Sequence, residues 1–416
     1  MRKVVYLSAA AFAFFTIGCI YKTSATGDDR SATIVQADTS LLPPLEKNPS
    51  NTNYKPAFPG QTRINAVKTT TPYRVDQLAE DLGRPWAIIL LLDEKFLVTE
   101  KTGFMQIRNY DGSLAKKITG LPKVDDRDQG GLLDVALDPN YSNNKMIYWS
   151  YSEPYKKGNV TAVAKGKLNE ANGTVENPVV IFRATPEWNN STLHYGSRLI
   201  FDKDGNLFVS AGERARLEAR PQAQLLNSGL GKIFKITKDG KPAPGNPFIG
   251  RKDAMPEIYS YGHRNPQSLD IHPATGDLWE AEFGPRGGDE VNLVKAGKNY
   301  GWPTITYGLE YSGKKIGDSI QQKAGMEQPV YYWDPVQSPG GMSFYKGDAI
   351  PEWENSLFIG GLGSTRIARL VIKESKVVGE EWLLSDKQER FRDIAYHNGM
   401  LFAVTDNGKL YRISKK

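Results

Sequence analysis

One pattern recurs six times along this chain and limits its possible folds more than any other feature. An apolar run of strand length meets a turn holding Asp, Asn or Gly, and a second apolar run follows. The copies span residues 86–99, 132–150, 198–210, 267–282, 341–359 and 392–404. Most continue into a third or fourth run, such as 104–108, 233–236 and 409–413. Short runs bounded by turn formers read as strands. A unit of about four strands cannot bury both of its faces, so such units must pack side by side around an axis. The expectation is an all-β fold, a six-bladed β-propeller of four-stranded antiparallel blades over residues 67–416. Residues 72–78 alternate apolar and polar. They are expected to form the outer strand of the last blade and so close the ring, leaving no open edge. A β-sandwich accommodates six copies poorly, and no long segment has the helical period.

Composition agrees with many short strands and tight turns. Gly 40, Pro 25, Tyr 20 and Trp 8 accompany 39% apolar and 24% charged residues. The net charge of +6 is spread without a Lys/Arg block, so nucleic-acid binding is not expected.

The N-terminus is of the secretory type. Arg2 and Lys3 precede an apolar run over 4–17, and Gly18-Cys19 ends it. That run is short for a spanning helix. Cys19 is the only cysteine, and at this junction it resembles the acylated cysteine of a bacterial lipobox, with Thr16 where Leu is usual. Residues 1–19 are therefore expected to be a lipoprotein signal peptide. Residues 20–66, rich in Ser, Thr, Asn, Asp and Pro, are expected to be a flexible tether. A lipid on Cys19 would hold the protein at the cell envelope, periplasmic or on the outer membrane. The mature domain has no thiol or disulfide chemistry.

Unusual polar clusters sit where the strands begin and end. They are Asp128-Gln129-Gly130-Gly131, Leu193-His194-Tyr195-Gly196-Ser197-Arg198, Gly212-Glu213-Arg214 and Gly262-His263-Arg264-Asn265-Pro266-Gln267. Further on come Gly284-Pro285-Arg286-Gly287-Gly288-Asp289-Glu290-Val291-Asn292-Leu293, Asn299-Tyr300-Gly301-Trp302-Pro303 and Glu389-Arg390-Phe391-Arg392-Asp393. One mouth of a propeller can collect all of them, and a polar cup at the end of a channel suits a ligand. Arg390 and Arg392, two apart on a strand, face the same side.

In this order, over about residues 84–413, these clusters resemble the soluble sugar dehydrogenases that use pyrroloquinoline quinone (PQQ). The resemblance implies PQQ-dependent oxidation of an aldose at C1 to the lactone. It makes His194 the general base, an imidazole being suited to proton removal near neutral pH. Glu213 would fix its ring, and Gln129 would bind the sugar hydroxyl. Arg264 would sit at the quinone oxygen, with Asn265 bonded to the cofactor. Arg390 and Arg392 would pair with cofactor carboxylates, and Trp333 would lie beside the cofactor plane. Calcium (Ca2+), which takes oxygen ligands, would bind the carbonyls of Gly284 and Pro285. Glu290 and the Tyr300 carbonyl would hold a second, structural calcium. The partners implied are a small sugar and an external electron acceptor.

The sequence departs from that family at Gly363, where a lysine is usual, with Arg366 as a neighbouring substitute. It departs again at Asp334, which follows Trp333 in place of a threonine. These gaps favour a second expectation, a carbohydrate-binding or non-redox propeller that has lost efficient quinone binding. Among other residues, His263 is expected to be structural, and His272 and His397 to lie on turn surfaces. Trp86, Trp302 and Trp353 are expected to fill space between blades.

Overall fold

The computed structural model of the chain describes residues 42–416. The expected signal peptide, Cys19 and the first part of the tether lie outside the described residues. The first strand, β1 (Tyr73–Ala79), does not pair with the strand that follows it in sequence. The first blade comprises β2 (Pro85–Leu90), β3 (Phe96–Glu100), β4 (Phe104–Arg108) and β5 (Leu114–Ile118). The second comprises β6 (Leu132–Leu137), β7 (Met146–Tyr155), β8 (Gly158–Asn169) and β9 (Thr174–Arg183). The third comprises β10 (Leu199–Phe201), β11 (Leu207–Ala211), β12 (Lys232–Ile236) and β13 (Ile258–Tyr261). In the fourth are β14 (Pro266–Ile271), β15 (Leu278–Glu282), β16 (Asp289–Val294) and β17 (Tyr331–Trp333). In the fifth are β18 (Pro339–Phe344), β19 (Leu357–Gly361), β20 (Ile367–Lys373) and β21 (Lys376–Leu383). The sixth joins β22 (Phe391–His397), β23 (Met400–Thr405) and β24 (Leu410–Lys415) to β1.

The chain is thus a six-bladed β-propeller of four-stranded antiparallel sheets, with almost no helix among the described residues. The closing strand is the one the alternation at 72–78 marks. β1 runs antiparallel to β24, with Tyr73 opposite Lys415 and Gln77 opposite Tyr411. Apolar faces of adjacent blades form the core. Leu97 and Met105 of the first blade pack with Trp149 and Val160 of the second. Burying each such side chain contributes about 1.5–3 kcal/mol. His272 is buried rather than at a surface. Its Nδ1 accepts from the Ala274 and Thr275 backbone N–H groups (3.2 and 3.3 Å), so the ring closes its own turn.

Polar groups tie the innermost strands together near the axis. Asp134 on β6 accepts from the Leu199 N–H (2.7 Å), Asp270 on β14 from Phe344 (2.7 Å) and Asp393 on β22 from Ile88 (2.9 Å). Each carboxylate therefore occupies a backbone donor of the next blade. Arg198 joins four blades at once. Its Nη1 lies 3.1 Å from Asp134 and 3.0 Å from Asp393, and its Nε donates to the Gln267 carbonyl (2.8 Å). Its guanidinium covers the Trp86 ring at 4.3 Å. A Cβ at residue 341 would come within 1.6 Å of Asp393 Oδ1 and 2.7 Å of Arg198 Nη2, so only Gly341 leaves room for this pairing.

Residues 42–66, grouped by composition with the tether, are bonded to the propeller. The backbone N–H groups of Asn51 and Thr52 donate to the Asp334 carboxylate (2.8 and 3.2 Å), and Arg63 donates to its carbonyl (2.8 Å). Gln61 is fully buried and donates to the Pro329 carbonyl (2.9 Å). Low hydrophobicity does not loosen a strap whose polar groups meet fixed partners. Asp334→Ala removes the acceptor for three donors, the Asn51 and Thr52 N–H groups and the Thr52 hydroxyl, each worth about 1 kcal/mol. Trypsin is expected to cleave this variant at Lys47 or Arg63 about 10- to 100-fold faster than wild type. Equal cleavage rates would show that the carboxylate does not hold the strap.

Candidate active site

Because the first two strands of a blade are antiparallel, the loop entering the first and the loop leaving the second open at the same end. Six blades therefore gather twelve loop ends around one mouth. A cavity of about 410 Å³ lies there, within the roughly 300–1,000 Å³ usual for small-molecule sites. Gln129, His194, Gly284, Pro285, Arg390 and Arg392 all line it, so six of the twelve residues singled out in the sequence meet on one surface.

His194 is buried, with a backbone φ of +50° that residues other than glycine seldom adopt. Its Nδ1 lies 2.7 Å from Glu213 Oε1, and its backbone N–H donates to Gln129 Oε1 (2.8 Å). Glu213 is fully buried, and its Oε2 has no partner. Burial and the nearby Arg264 charge push the imidazole down to about 4, against the opposing pull of Glu213. The ring is therefore neutral at pH 7. A carboxylate acceptor at Nδ1 places the ring proton there and leaves a lone pair on Nε2.

Arg264 and Asn265 stand behind the cavity wall. Arg264 Nη1 donates to the carbonyls of Phe283 (3.0 Å) and Gly284 (2.6 Å), and its guanidinium lies 5.2 Å from the Trp302 ring. Asn265 accepts from the Gly196 N–H (2.9 Å), while its Nδ2 and the Arg264 Nε remain buried without partners. The Gly284 carbonyl, expected as a cation ligand, thus accepts from a guanidinium here. Asp289 holds this wall in shape by accepting from the N–H groups of Gly284 (2.9 Å), Gln337 (2.8 Å) and Ser338 (2.7 Å).

Beside Arg264 a smaller cavity is lined by Glu282, Glu290 and Tyr300. Burial and the neighbouring Glu282 and Glu280 push the Glu290 carboxyl well up. His263 Nδ1 lies 3.5 Å from Glu282 and 3.7 Å from Glu280, and its ring stacks on Tyr300 at 4.7 Å. Against desolvation, those carboxylates raise the imidazole to about 9. Glu280 Oε2 and His263 Nδ1 have no hydrogen-bond partner. His263, Glu280 and Glu282 together are spaced to hold a metal ion, and carboxylates facing a cavity suit a hard cation.

Trp333 does not reach the site, which corrects the expectation from sequence. It lies on β17, the outermost strand of its blade, and packs in one cluster with Met342 and Phe344 of the next blade. Its Nε1 donates to Glu380 (2.8 Å). The aromatics that line the cavity are Trp86, Phe283 and Tyr311, the last 73% exposed. Arg366 also points elsewhere, stacking on Trp382 at 3.4 Å beside Glu46. A Cβ at residue 363 would meet Ser338 Oγ at 2.6 Å, so Gly363 leaves no room for a lysine stem.

Three charged lining residues were missed in the sequence. Asp406 accepts from Arg390 Nε (2.8 Å) and from Arg392 Nε and Nη2 (2.7 and 3.1 Å), and so aligns both guanidinium groups. Arg84 and Lys101 add two more cations to the same lining. The signal was positional. Lys101 and Asp406 are the first residues past the second strand of their repeats, one place before the position that Glu213 and Gly284 take in theirs.

The model of the glucose/sorbosone dehydrogenase family matches residues 82–412. The chain belongs to that family. Aldose sugar dehydrogenase YliI of Escherichia coli strain K12 is 38% identical over 348 residues, covering 82% of this chain and 93% of the relative. The crystal structure of the soluble aldose sugar dehydrogenase from Escherichia coli in the apo-form has a TM-score of 0.78, covering 83% of this chain and 100% of that one. The PQQ-bound aldose sugar dehydrogenase of Streptomyces coelicolor is 26% identical, with a TM-score of 0.69 and coverage of 83% and 99%. Like the glucose/sorbosone dehydrogenases it groups with, this chain is of the oxidoreductase class.

Proposed function

We propose that this chain oxidises an aldose at C1 to the lactone with PQQ, using His194 as the base. The carrying observation is the neutral, Glu213-oriented imidazole lining a cation-rich cavity. The residues fit the cofactor: PQQ is an aromatic polycarboxylate, and Arg390, Arg392, Arg84 and Lys101 oppose it with guanidinium and ammonium groups. When bound, PQQ supplies the acceptor for the hydride that leaves C1. His194 Nε2 takes the proton of the anomeric hydroxyl, and Glu213 stabilises the resulting imidazolium. Gln129 reaches the cavity beside His194 and would hold the sugar. The unpartnered Asn265 Nδ2 and Arg264 Nε provide donors behind the wall for developing negative charge. Calcium at Gly284 and Pro285 would displace the Arg264 contact to the Gly284 carbonyl, freeing that guanidinium. A second calcium would take Glu290 and the Tyr300 carbonyl, with Glu282 adjoining. The electron acceptor is external. A lipid on Cys19 would place the domain in the periplasm or on the outer membrane.

The crowding at Gly363 favours the second proposal, a sugar-binding propeller without redox turnover. Reconstitution decides between them. Purified protein with Ca2+ and PQQ is expected to reduce a dye when given glucose or another aldose. Saturable sugar binding with no dye reduction across a panel of aldoses would favour the second.

A further inference from the structure

We propose that Lys101 is the ammonium that grips a carboxylate of the cavity's ligand, serving from the first blade where the fifth has only Gly363. The assignment rests on the quinone proposal for the identity of that ligand, not for the existence of the grip. Lys101 is the first residue beyond β3 and lines the cavity with Arg84, Arg390 and Arg392. Among the described residues no carboxylate pairs with it. Its Nζ donates only to the Asp128 carbonyl, at 2.6 Å. The carboxylates nearest that sector are committed elsewhere: Asp406 to Arg390 and Arg392, and the Asp128 side chain to Thr192 Oγ1. Asp126 lies 4.0 Å from Arg84. The sector thus carries more cations than anions and has an opening between them.

The stem is held for this task. The Lys101 N–H donates to the Arg84 carbonyl (3.0 Å), and its own carbonyl accepts from the Leu132 N–H (3.0 Å). Gly131 packs so closely that a Cβ there would lie 2.4 Å from the Lys101 carbonyl. A fixed backbone limits the freedom lost when the ammonium exchanges one carbonyl for a charged oxygen. Burial and then the Arg84 and Arg392 charges lower the ammonium to about 8, while Asp406 and Asp126 oppose that shift. A bound carboxylate would reverse the shift, so binding weakens as pH rises and the ammonium loses its proton.

The test compares the full chain with Lys101→Met and Lys101→Arg, all with calcium, in a titration with PQQ followed by quenching of tryptophan fluorescence. Lys101→Met is expected to bind about 10- to 100-fold more weakly at neutral pH, as loss of a charge-assisted hydrogen bond does. Lys101→Arg is expected to restore affinity and remove the alkaline decline that wild type shows above about pH 8. Equal affinity in wild type and Lys101→Met, or a failure of Lys101→Arg to rescue while its melting matches wild type, overturns the assignment. If wild type binds no PQQ, the quinone proposal falls on its own, and trimesate, a plain aromatic tricarboxylate, becomes the probe. Trimesate binding that weakens in Lys101→Met retains the grip; binding that is absent or insensitive to Lys101 ends it.

Discussion

His194→Gln is expected to lower turnover about 100- to 10,000-fold, the usual contribution of a positioned general base. PQQ affinity should change little, which separates the loss of a proton acceptor from damage to the cavity. Glutamine is the informative replacement because its amide can still donate to Glu213. Alanine would leave that buried carboxylate without its partner and confuse chemistry with folding. Dye reduction by the reconstituted protein and PQQ binding to the same samples are the two measurements. Turnover within a few-fold of wild type would end the assignment of His194 as base. The pH profile gives an independent check. Since the imidazole must be neutral to accept a proton and is pushed down to about 4, activity should hold through mildly acidic pH and fall as pH drops through about 4. Glu213→Gln removes the one nearby group that raises the imidazole, so that limb should move lower still. The same depression costs stability. Between 6.5 and about 4 the unfolded chain takes up a proton that the folded ring refuses, so folding weakens as pH falls through that window.

The second large effect lies at the axis. Arg198→Met is expected to destabilise the propeller by about 3–5 kcal/mol, because breaking a buried ion pair from one side leaves uncompensated charge. Here two carboxylates, Asp134 and Asp393, lose the guanidinium between them. Burial already raises the pKa of both. Acids whose folded pKa exceeds the unfolded value bind protons more tightly when folded, so their cost grows as pH rises. The deficit of Arg198→Met should therefore be larger at alkaline than at acidic pH in urea melts. A deficit independent of pH would mean that lost packing on Trp86, not charge, is responsible.

The fold was legible because strand pairs and turn residues are local signals, and six copies of one unit leave little choice of architecture. Even the closing strand showed itself, since 72–78 alternates. The site was legible only where a rare cluster marked it. His194, Arg390 and Gly284 stand in such clusters, whereas Lys101 sits in the plain stretch Glu100-Lys101-Thr102-Gly103. Only its place in the repeat, one residue past the second strand, distinguishes it. Trp333 was placed by the family resemblance alone, and nothing local in the sequence says that its indole meets Glu380 of the next blade. The strap at 42–66 was hidden for a different reason: its acceptors, Asp334 among them, lie some 280 residues away in sequence, and composition has no view of distant partners.

The seam between β1 and β24 has a consequence for how the ring is made in the cell. β1 leaves the ribosome early, yet its hydrogen-bonding partner is synthesised only after all the other blades. Throughout that interval the nascent chain carries an unpaired strand at one end and an open flank at the other, the surfaces through which chains pair with one another. Shielding before closure is thus a requirement of this circular architecture, and deleting 410–415 would make the vulnerable interval permanent.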